Sequence, residues 1–317
     1  MIDHITLRDT ARDSVLSKQL GYGYVPISKA ANTNVKRFLW QVEHELGHCR
    51  PVGKQYFSVH NYGWRFANPD ARTPWLGFRK SGIEAFYEAL RGRRMLTIVR
   101  NPYIRLLSGY LEKIVAKVDV EPNIPAKFQL PRRPESFADF VYMVCDRPNA
   151  RTDIHFRSQT YASLFDFIAY DSVGHVETLS SDLAGFSADA FGQDFSHLLS
   201  EKADHAMKAR QKLKDHYTPD IERAIYARFR DDFLNFGYDY DLEAVLPVRP
   251  VARPGALNAC LEEAAHLCAP TLRQEEPAPS DRALEASKKL LARLEAGQAL
   301  SGFDNSLAPY ARNLLQK

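Results

Sequence analysis

Apolar positions along the chain follow two alternating periods. Gly21-Tyr-Gly-Tyr-Val-Pro-Ile27 is a short apolar run approached by glycines and predicts a strand, while Val35, Phe38, Leu39, Val42 and Leu46 recur at helical spacing between Asn34 and His48. Tyr56-Phe-Ser-Val-His60 predicts a second strand and Ile83 to Leu90 a second helix. Met95-Leu-Thr-Ile-Val99 is a continuous apolar run of the kind found in strands buried on both faces. The pattern is β-α-β-α-β. At Asn101-Pro102 a further helix opens, with Asn suited to the N-cap and Pro to the first helical position. Its apolar stripe is Tyr103, Leu106, Leu107, Tyr110, Ile114 and Val118.

Pro122 to Pro134 predicts a surface excursion, Phe137 to Cys145 a helix, and Phe165 to Val176 a strand around Phe167, Ile168 and Val173. Thr218-Pro219 opens a helix through Ile221, Ile225, Phe229 and Phe233 that ends near Gly237. Strands alternating with helices imply an α/β fold, a central parallel sheet flanked by helices on both sides. Beyond Leu246 prolines punctuate two helical stretches, Ala256 to Cys268 and Asp281 to Ala296. The expected division is a domain over residues 1–243 and a helical C-terminal extension over residues 244–317, with no internal repeat.

Composition narrows the class. Of 317 residues, 45% are hydrophobic and 26% charged, values that exclude disordered, collagenous and membrane-spanning chains. The net charge of +3 is too small for bulk attraction to a nucleic acid, so any anion site is local. The first thirty residues hold no apolar run of signal-peptide length and no later stretch reaches the roughly 20 residues a bilayer requires, so a cytoplasmic address is expected. Peripheral membrane contact, or an oligomer or partner contact through the tail, remains open. Cys49, Cys145, Cys260 and Cys268 form no Cys-x-x-Cys pair and suit reduced, structural thiols.

Two segments carry candidate chemistry. Ser28-Lys-Ala-Ala-Asn-Thr-Asn34 lies between the first strand and its helix, where backbone amides and the positive end of the helix dipole form an anion site. Thr33 and Asn34 add donors and Lys29 a mobile charge; the alternative is an N-cap beside a solvated lysine. The loop has no glycine and its lysine precedes the turn, so it is not a Walker A motif. In Arg100-Asn-Pro-Tyr-Ile-Arg-Leu-Leu-Ser108-Gly-Tyr110, Arg100 sits at the carboxyl end of the third strand, where open α/β sheets bind ligands. A guanidinium and a hydroxyl suit a phosphate; taken alone, the segment reads more simply as an arginine capping the strand through a carboxylate and a serine packed mid-helix.

Together the segments resemble the 5′-phosphosulfate loop and the 3′-phosphate element of sulfotransferases that use 3′-phosphoadenosine 5′-phosphosulfate (PAPS), particularly the carbohydrate sulfotransferases. Lys29, Thr33, Asn34, Lys36 and Arg37 fill the first pattern, with Ser28 where the family has Pro; Arg100, Asn101, Pro102, Tyr103, Arg105, Leu106, Ser108 and Tyr110 fill the second. The likeness continues through Asp153–Gln159, Tyr170–Leu179 and Tyr226–Tyr238. It implies a three-layer fold like that of the P-loop nucleotide hydrolases and transfer of a sulfuryl group from PAPS to a hydroxyl of a carbohydrate or glycolipid-like acceptor. PAP, adenosine 3′,5′-bisphosphate, is then the product, and no metal is required. Lys29 is expected to stabilise charge on the leaving oxygen, with the loop from Ala30 through Ala31, Asn32, Thr33 and Asn34 holding the phosphosulfate, and Arg100 and Ser108 the 3′-phosphate. His60 is the expected base, with Glu84 and His155 as competitors. His155, Arg157 and Gln159 are assigned to substrate positioning or scaffold support, and Lys208 and Arg210 to a loop over the nucleotide or a solvated face. Without an anchor like that of Golgi-resident relatives, a soluble enzyme is expected.

A rival pattern is His44-Glu45-Leu-Gly-His48, which matches the His-Glu-x-x-His signature of zinc metalloproteases, two histidines sharing a helix face. Glu84 or Glu88 is available as a third ligand. Asn34 to His48 spans about 20 Å of helix at 1.5 Å per residue, so these histidines and Lys29 cannot form one site. A further alternative is a nucleotide-binding module without catalysis.

Overall fold

The computed structural model describes residues 4–49, 74–76, 83–117, 119–199 and 213–251. A five-stranded sheet is built from β1 (Val15–Ser17), β2 (Tyr22–Val25), β3 (Trp75–Leu76), β4 (Arg94–Val99) and β5 (Ser172–His175), in the order β3-β1-β2-β4-β5. β2, β4 and β5 run parallel, in the registers Tyr24 to Leu96 and Thr97 to Val173. β1 pairs antiparallel with both β2 and β3. The sheet is therefore mixed, not parallel throughout. The four residues from Lys18 to Gly21 between β1 and β2 leave no room for a crossover, and an antiparallel hairpin is what so short a connection permits.

Preceding the sheet is α1 (His4–Asp13), and α2 (Asn32–Glu45) follows β2. Between β3 and β4 lies α3 (Ile83–Leu90), and α4 (Pro102–Lys113) follows β4. Asn101 caps α4 as its sequence demands, its side chain accepting from the amides of Tyr103 at 3.0 Å and Ile104 at 3.4 Å. Then come α5 (Ile124–Lys127), α6 (Phe137–Cys145), α7 (Gln159–Ala162), α8 (Leu179–Phe191), α9 (Pro219–Arg228) and α10 (Arg230–Asn235).

Leu96 and Ile98 of β4 meet Val35, Phe38, Leu39 and Val42 of α2 and Leu183 and Phe186 of α8 in one apolar cluster. A second gathers Ile27, Val99 and the buried face of α4 with Phe137 and Phe140 of α6 and Ile221 and Ile225 of α9. α1 packs against α3, with Leu7, Phe86 and Leu90 buried. The result is an α/β fold of helices around a central sheet.

Four sequence expectations change. α2 stops at Glu45, not His48, because Gly47 takes φ +79° and the amides of Gly47 and His48 turn back to the carbonyls of His44 and Glu43, a glycine-terminated cap. The last strand begins at Ser172; Phe167 and Ile168 lie in turns, where the amides of both bond to the Leu164 carbonyl. The helix expected through Phe233 is two helices, α9 and α10, meeting at Phe229. The proline-rich segment is not merely superficial: Ile124, Phe128 and Leu130 are buried in the second apolar cluster.

Among the described residues no helix is long and apolar enough to cross a membrane. Residues just past 243 lie on the domain: Val245 is buried, its carbonyl accepts from Asn101 Nδ2 at 3.3 Å, and Val248 N donates to Gly237 O at 2.8 Å. Cys49 and Cys145 are free thiols, while Tyr56–His60, Lys208, Arg210 and the helical stretches expected after residue 252 lie outside the described residues.

Candidate active site at the parallel-strand edge

Because β2, β4 and β5 are parallel, their carboxyl ends share one edge, and the chain leaving β2 meets the chain leaving β4 there. The loop after β2 is anchored by buried Ile27 and Ala30, with Ala30 N donating to Ile27 O at 3.2 Å. Lys29 and Ala31 adopt the left-handed region, at φ 69° and 53°. Each such residue costs roughly 1–2 kcal/mol in L-chains, and strain of this kind collects where a backbone must face a ligand. Ala31, the N-cap residue, leads into α2 and has no side-chain oxygen to offer its first turn, which receives no side-chain cap among the described residues. That end of the helix is left to attract an anion.

The Lys29 side chain is only 10% exposed, and its ammonium pairs with the carboxylate of Glu112 at the end of α4. Burial pushes the Lys29 pKa down, and the hydrogen bond and charge of Glu112 push it partly back up. Arg100 is held by a reciprocal pair: its amide donates to Gln159 Oε1 at 2.9 Å and its carbonyl accepts from Gln159 Nε2 at 2.8 Å. Arg100 Nη1 donates to Lys29 O at 3.3 Å, tying the two sequence segments together. Arg100 Nε is buried and has no partner among the described residues. Burial lowers the Arg100 pKa, opposed by the charge of Glu177. Below the loop, Arg105 is fully enclosed, donating from Nε to Ser28 O at 2.9 Å and from Nη1 to Arg157 O at 2.7 Å. Burial lowers its pKa to about 10, so this guanidinium stays charged near neutral pH.

These residues line a cleft of about 340 Å³ whose walls are Ser28, Lys29, Ala31, Asn32, Thr33, Asn34, Arg100, Glu112, Lys113 and His155. Lys29, the loop and Arg100 are thus brought together as expected. Ala30 lies buried beneath them, and Ser108 is half-buried and does not line this cleft. His155 does, with Nδ1 2.6 Å from Asp153 Oδ1. Arg157 and Gln159 are buried supports: Arg157 donates to Thr152 O and Thr6 Oγ1, and Gln159 clamps Arg100. Lys36 is also internal, donating to Asp13 O at 3.0 Å, its pKa lowered to about 8 by burial. His60 and the side chain of Glu84 lie outside the described residues.

Glu112, Lys113 and Glu177 escaped the sequence reading. Glu112 follows Ser108 by four residues, so continuing that helical face by one turn reaches it. Glu177 accepts from the Asn101 amide and the Tyr238 hydroxyl, and no local spacing announces that role.

The His-Glu-x-x-His pattern makes no shared face. His48 lies past the end of α2; its Nδ1 contacts Glu43 Oε2 at 2.8 Å, while His44 Nδ1 contacts Cys49 O at 2.9 Å. Glu45 pairs with His197 at 3.0 Å. The glycine cap has turned the second histidine away, and the protease alternative loses its geometric basis.

Residues 14–239, well over half the chain, match the family model described as "Sulfotransferase family". The chain belongs to the sulfotransferase family. Every cleft residue named above falls inside that span. Carbohydrate sulfotransferase 10 of Mus musculus is 32% identical over 187 residues, 51% of this chain and 50% of the relative. The Homo sapiens protein of the same name is 30% identical over 186 residues, 49% and 51% of the two chains. The Xenopus laevis protein is 29% identical over 178 residues, 48% and 49%. The match spans about half the length of these relatives. No solved structure matches the chain. Membership of the sulfotransferase family gives no support to the protease or the non-catalytic alternative.

Proposed function

We propose that this member of the sulfotransferase family moves a sulfuryl group from PAPS to a hydroxyl of a carbohydrate acceptor. The observation that carries the reading is the convergence of Lys29 and Arg100 on one cleft, with the Arg100 Nε buried and unpartnered among the described residues. A donor with anionic groups at both ends of an adenosine fits such a cleft. An unsatisfied buried guanidinium nitrogen and an uncapped helix start are both completed by anionic oxygen. When bound, the donor supplies a sulfuryl group activated by attachment to a leaving phosphate.

Lys29 then holds positive charge where charge develops on the leaving group, the kind of preorganised stabilisation that carries most of such a barrier. Thr33 and Asn34 add donors at the start of α2, and Arg100 holds a phosphate. Ser108, outside the cleft wall, is a weaker partner for that phosphate than the resemblance implies. His60 is the base by resemblance. His155 is a second reading, favoured by its place in the cleft wall and by Asp153, which fixes the ring through Nδ1 and leaves Nε2 for a proton. The carbohydrate acceptor is supported by the names of the relatives.

Calorimetric titration with adenosine 3′,5′-bisphosphate, paired with a sulfuryl-transfer assay on PAPS and an oligosaccharide mixture, tests the reading. The wild-type protein is expected to bind the nucleotide. Lys29→Ala is expected to keep measurable binding while losing about 10²-fold or more in transfer, the usual effect of deleting a charge-stabilising donor. A wild-type protein with no nucleotide affinity overturns it.

A further inference from the structure

We infer that Glu112 is a displaceable counter-anion for Lys29, holding the ammonium in the cleft until an incoming anion takes the carboxylate's place. This rests on the donor-binding reading above and deepens it. Glu112 stands in the last turn of α4, where the negative end of the helix dipole disfavours a carboxylate. Its position is therefore explained by its partners. It pairs with the Lys29 ammonium and, through Oε1 at 2.8 Å, with Lys113.

The three side chains differ in freedom. Those of Lys29 and Lys113 are 10% and 13% exposed, whereas that of Glu112 is 56% exposed. The glutamate side chain stands largely in solvent and has room to move aside, while the two lysine side chains are held mostly inside. Glu112 shares the cleft wall with Lys29 and Arg100, so an anion that reaches both cations meets the carboxylate as a like charge and displaces it. The charged groups around the Lys29 ammonium are Glu112 and Lys113 from α4 and Arg100 after β4. Burial pushes the Lys29 pKa down, and Glu112 is the partner that raises it again. Burial opposes ionisation of Glu112, but its hydrogen bonds to Lys113 and Lys29 outweigh that and hold its carboxyl at about 2, so it is an anion throughout the working pH range. The positioning thus has two consequences: weaker binding of any single anion, and a lysine that stays protonated to higher pH.

Glu112→Gln keeps shape and removes charge. Titrated with adenosine 3′,5′-bisphosphate and separately with inorganic pyrophosphate, this variant is expected to bind each about 5-fold or more tightly than wild type, the lower end of ordinary coupling between sites. Its binding is also expected to fail at lower pH on the alkaline side, because Lys29 has lost the neighbour that kept it charged. Glu112→Asp, with the charge restored, should move both readouts back toward wild type. Unchanged or weakened affinity for both probes, with an unmoved alkaline limb, overturns the inference. If only pyrophosphate shows the predicted changes and no protein binds the nucleotide, the role of Glu112 stands and the PAPS reading falls.

Discussion

Gly237 shows how much a single residue decides. It ends α10 at φ +76°, and the amide of Tyr238 turns back to Phe233 O at 3.0 Å to close the helix. A Cβ there would lie 2.0 Å from the carbonyl oxygen of Arg249, whose amide bonds to Gly237 O at 3.1 Å. Gly237→Ala meets two independent penalties, roughly 1–2 kcal/mol for the left-handed backbone and the displacement of the backbone at Val248 and Arg249, whose amides both bond to Gly237 O. The variant is expected to lose about 2 kcal/mol or more of unfolding free energy in a urea titration; a loss near zero would mean that residues 248–250 move freely. That turn was legible because the residue is glycine. The equally unusual turns at Lys29 and Ala31 were not, since neither residue type signals positive φ and the strain is imposed by Arg105 and Arg100 holding the loop from elsewhere.

Elements were legible where periodicity is strong and caps are explicit. α2, α4, α6 and β4 were read within a few residues because each carries enough apolar positions at its own period to outweigh the buried polar ones, Lys36 and Glu43 in α2, Arg105 in α4 and Thr97 in β4. α1 was missed because Thr6 and Thr10 are among its buried positions and interrupt the apolar pattern. α8 was missed because its buried face is small, Leu183 and Phe186 with the polar Ser187 beside them. β1 and β3, at three and two residues, are too short for any period to register. The cap of α4 supports an element-level prediction. Asn101 is fully buried, caps two amides of α4, and donates to Val245 O. Asn101→Ala is expected to lower stability by about 1–2 kcal/mol, the upper half of the usual range for an N-cap. It should also weaken nucleotide binding in the same calorimetric titration, because the cap fixes the direction in which the chain leaves Arg100. Lost stability with unchanged affinity would confine Asn101 to a structural role.

At the scale of the whole molecule, the site was legible because its two halves are contiguous motifs placed by topology at one sheet edge, whereas its supports come from segments remote in sequence. His175 is such a support, joining three parts of the fold. Its amide at the end of β5 donates to Asp182 Oδ2 of α8 at 2.7 Å, its Nε2 lies 2.9 Å from Phe236 O, and its ring meets Tyr238 edge-on at 5.3 Å. Both ring nitrogens face acceptors, Nδ1 lying 3.8 Å from Asp182, so the doubly protonated ring is the form that satisfies them. Burial works against that charge, but the nearby Asp182 carboxylate, the hydrogen bond to Phe236 O and the charge of Glu177 prevail, and the pKa is raised above 6.5. A raised folded-state pKa means that the stability from His175 is complete below the unfolded value of about 6.5 and is lost as pH climbs through the folded value. Asp182, its own pKa held below the usual carboxylate range despite burial, stays ionised across that window. Thermal unfolding of wild type and His175→Gln at intervals from pH 5.5 to 8.5 should therefore show a gap in Tm that is widest at the acid end and narrows with rising pH. A gap of constant width would mean that the ring acts through packing alone, and that β5, α8 and the chain after α10 are joined without the proton.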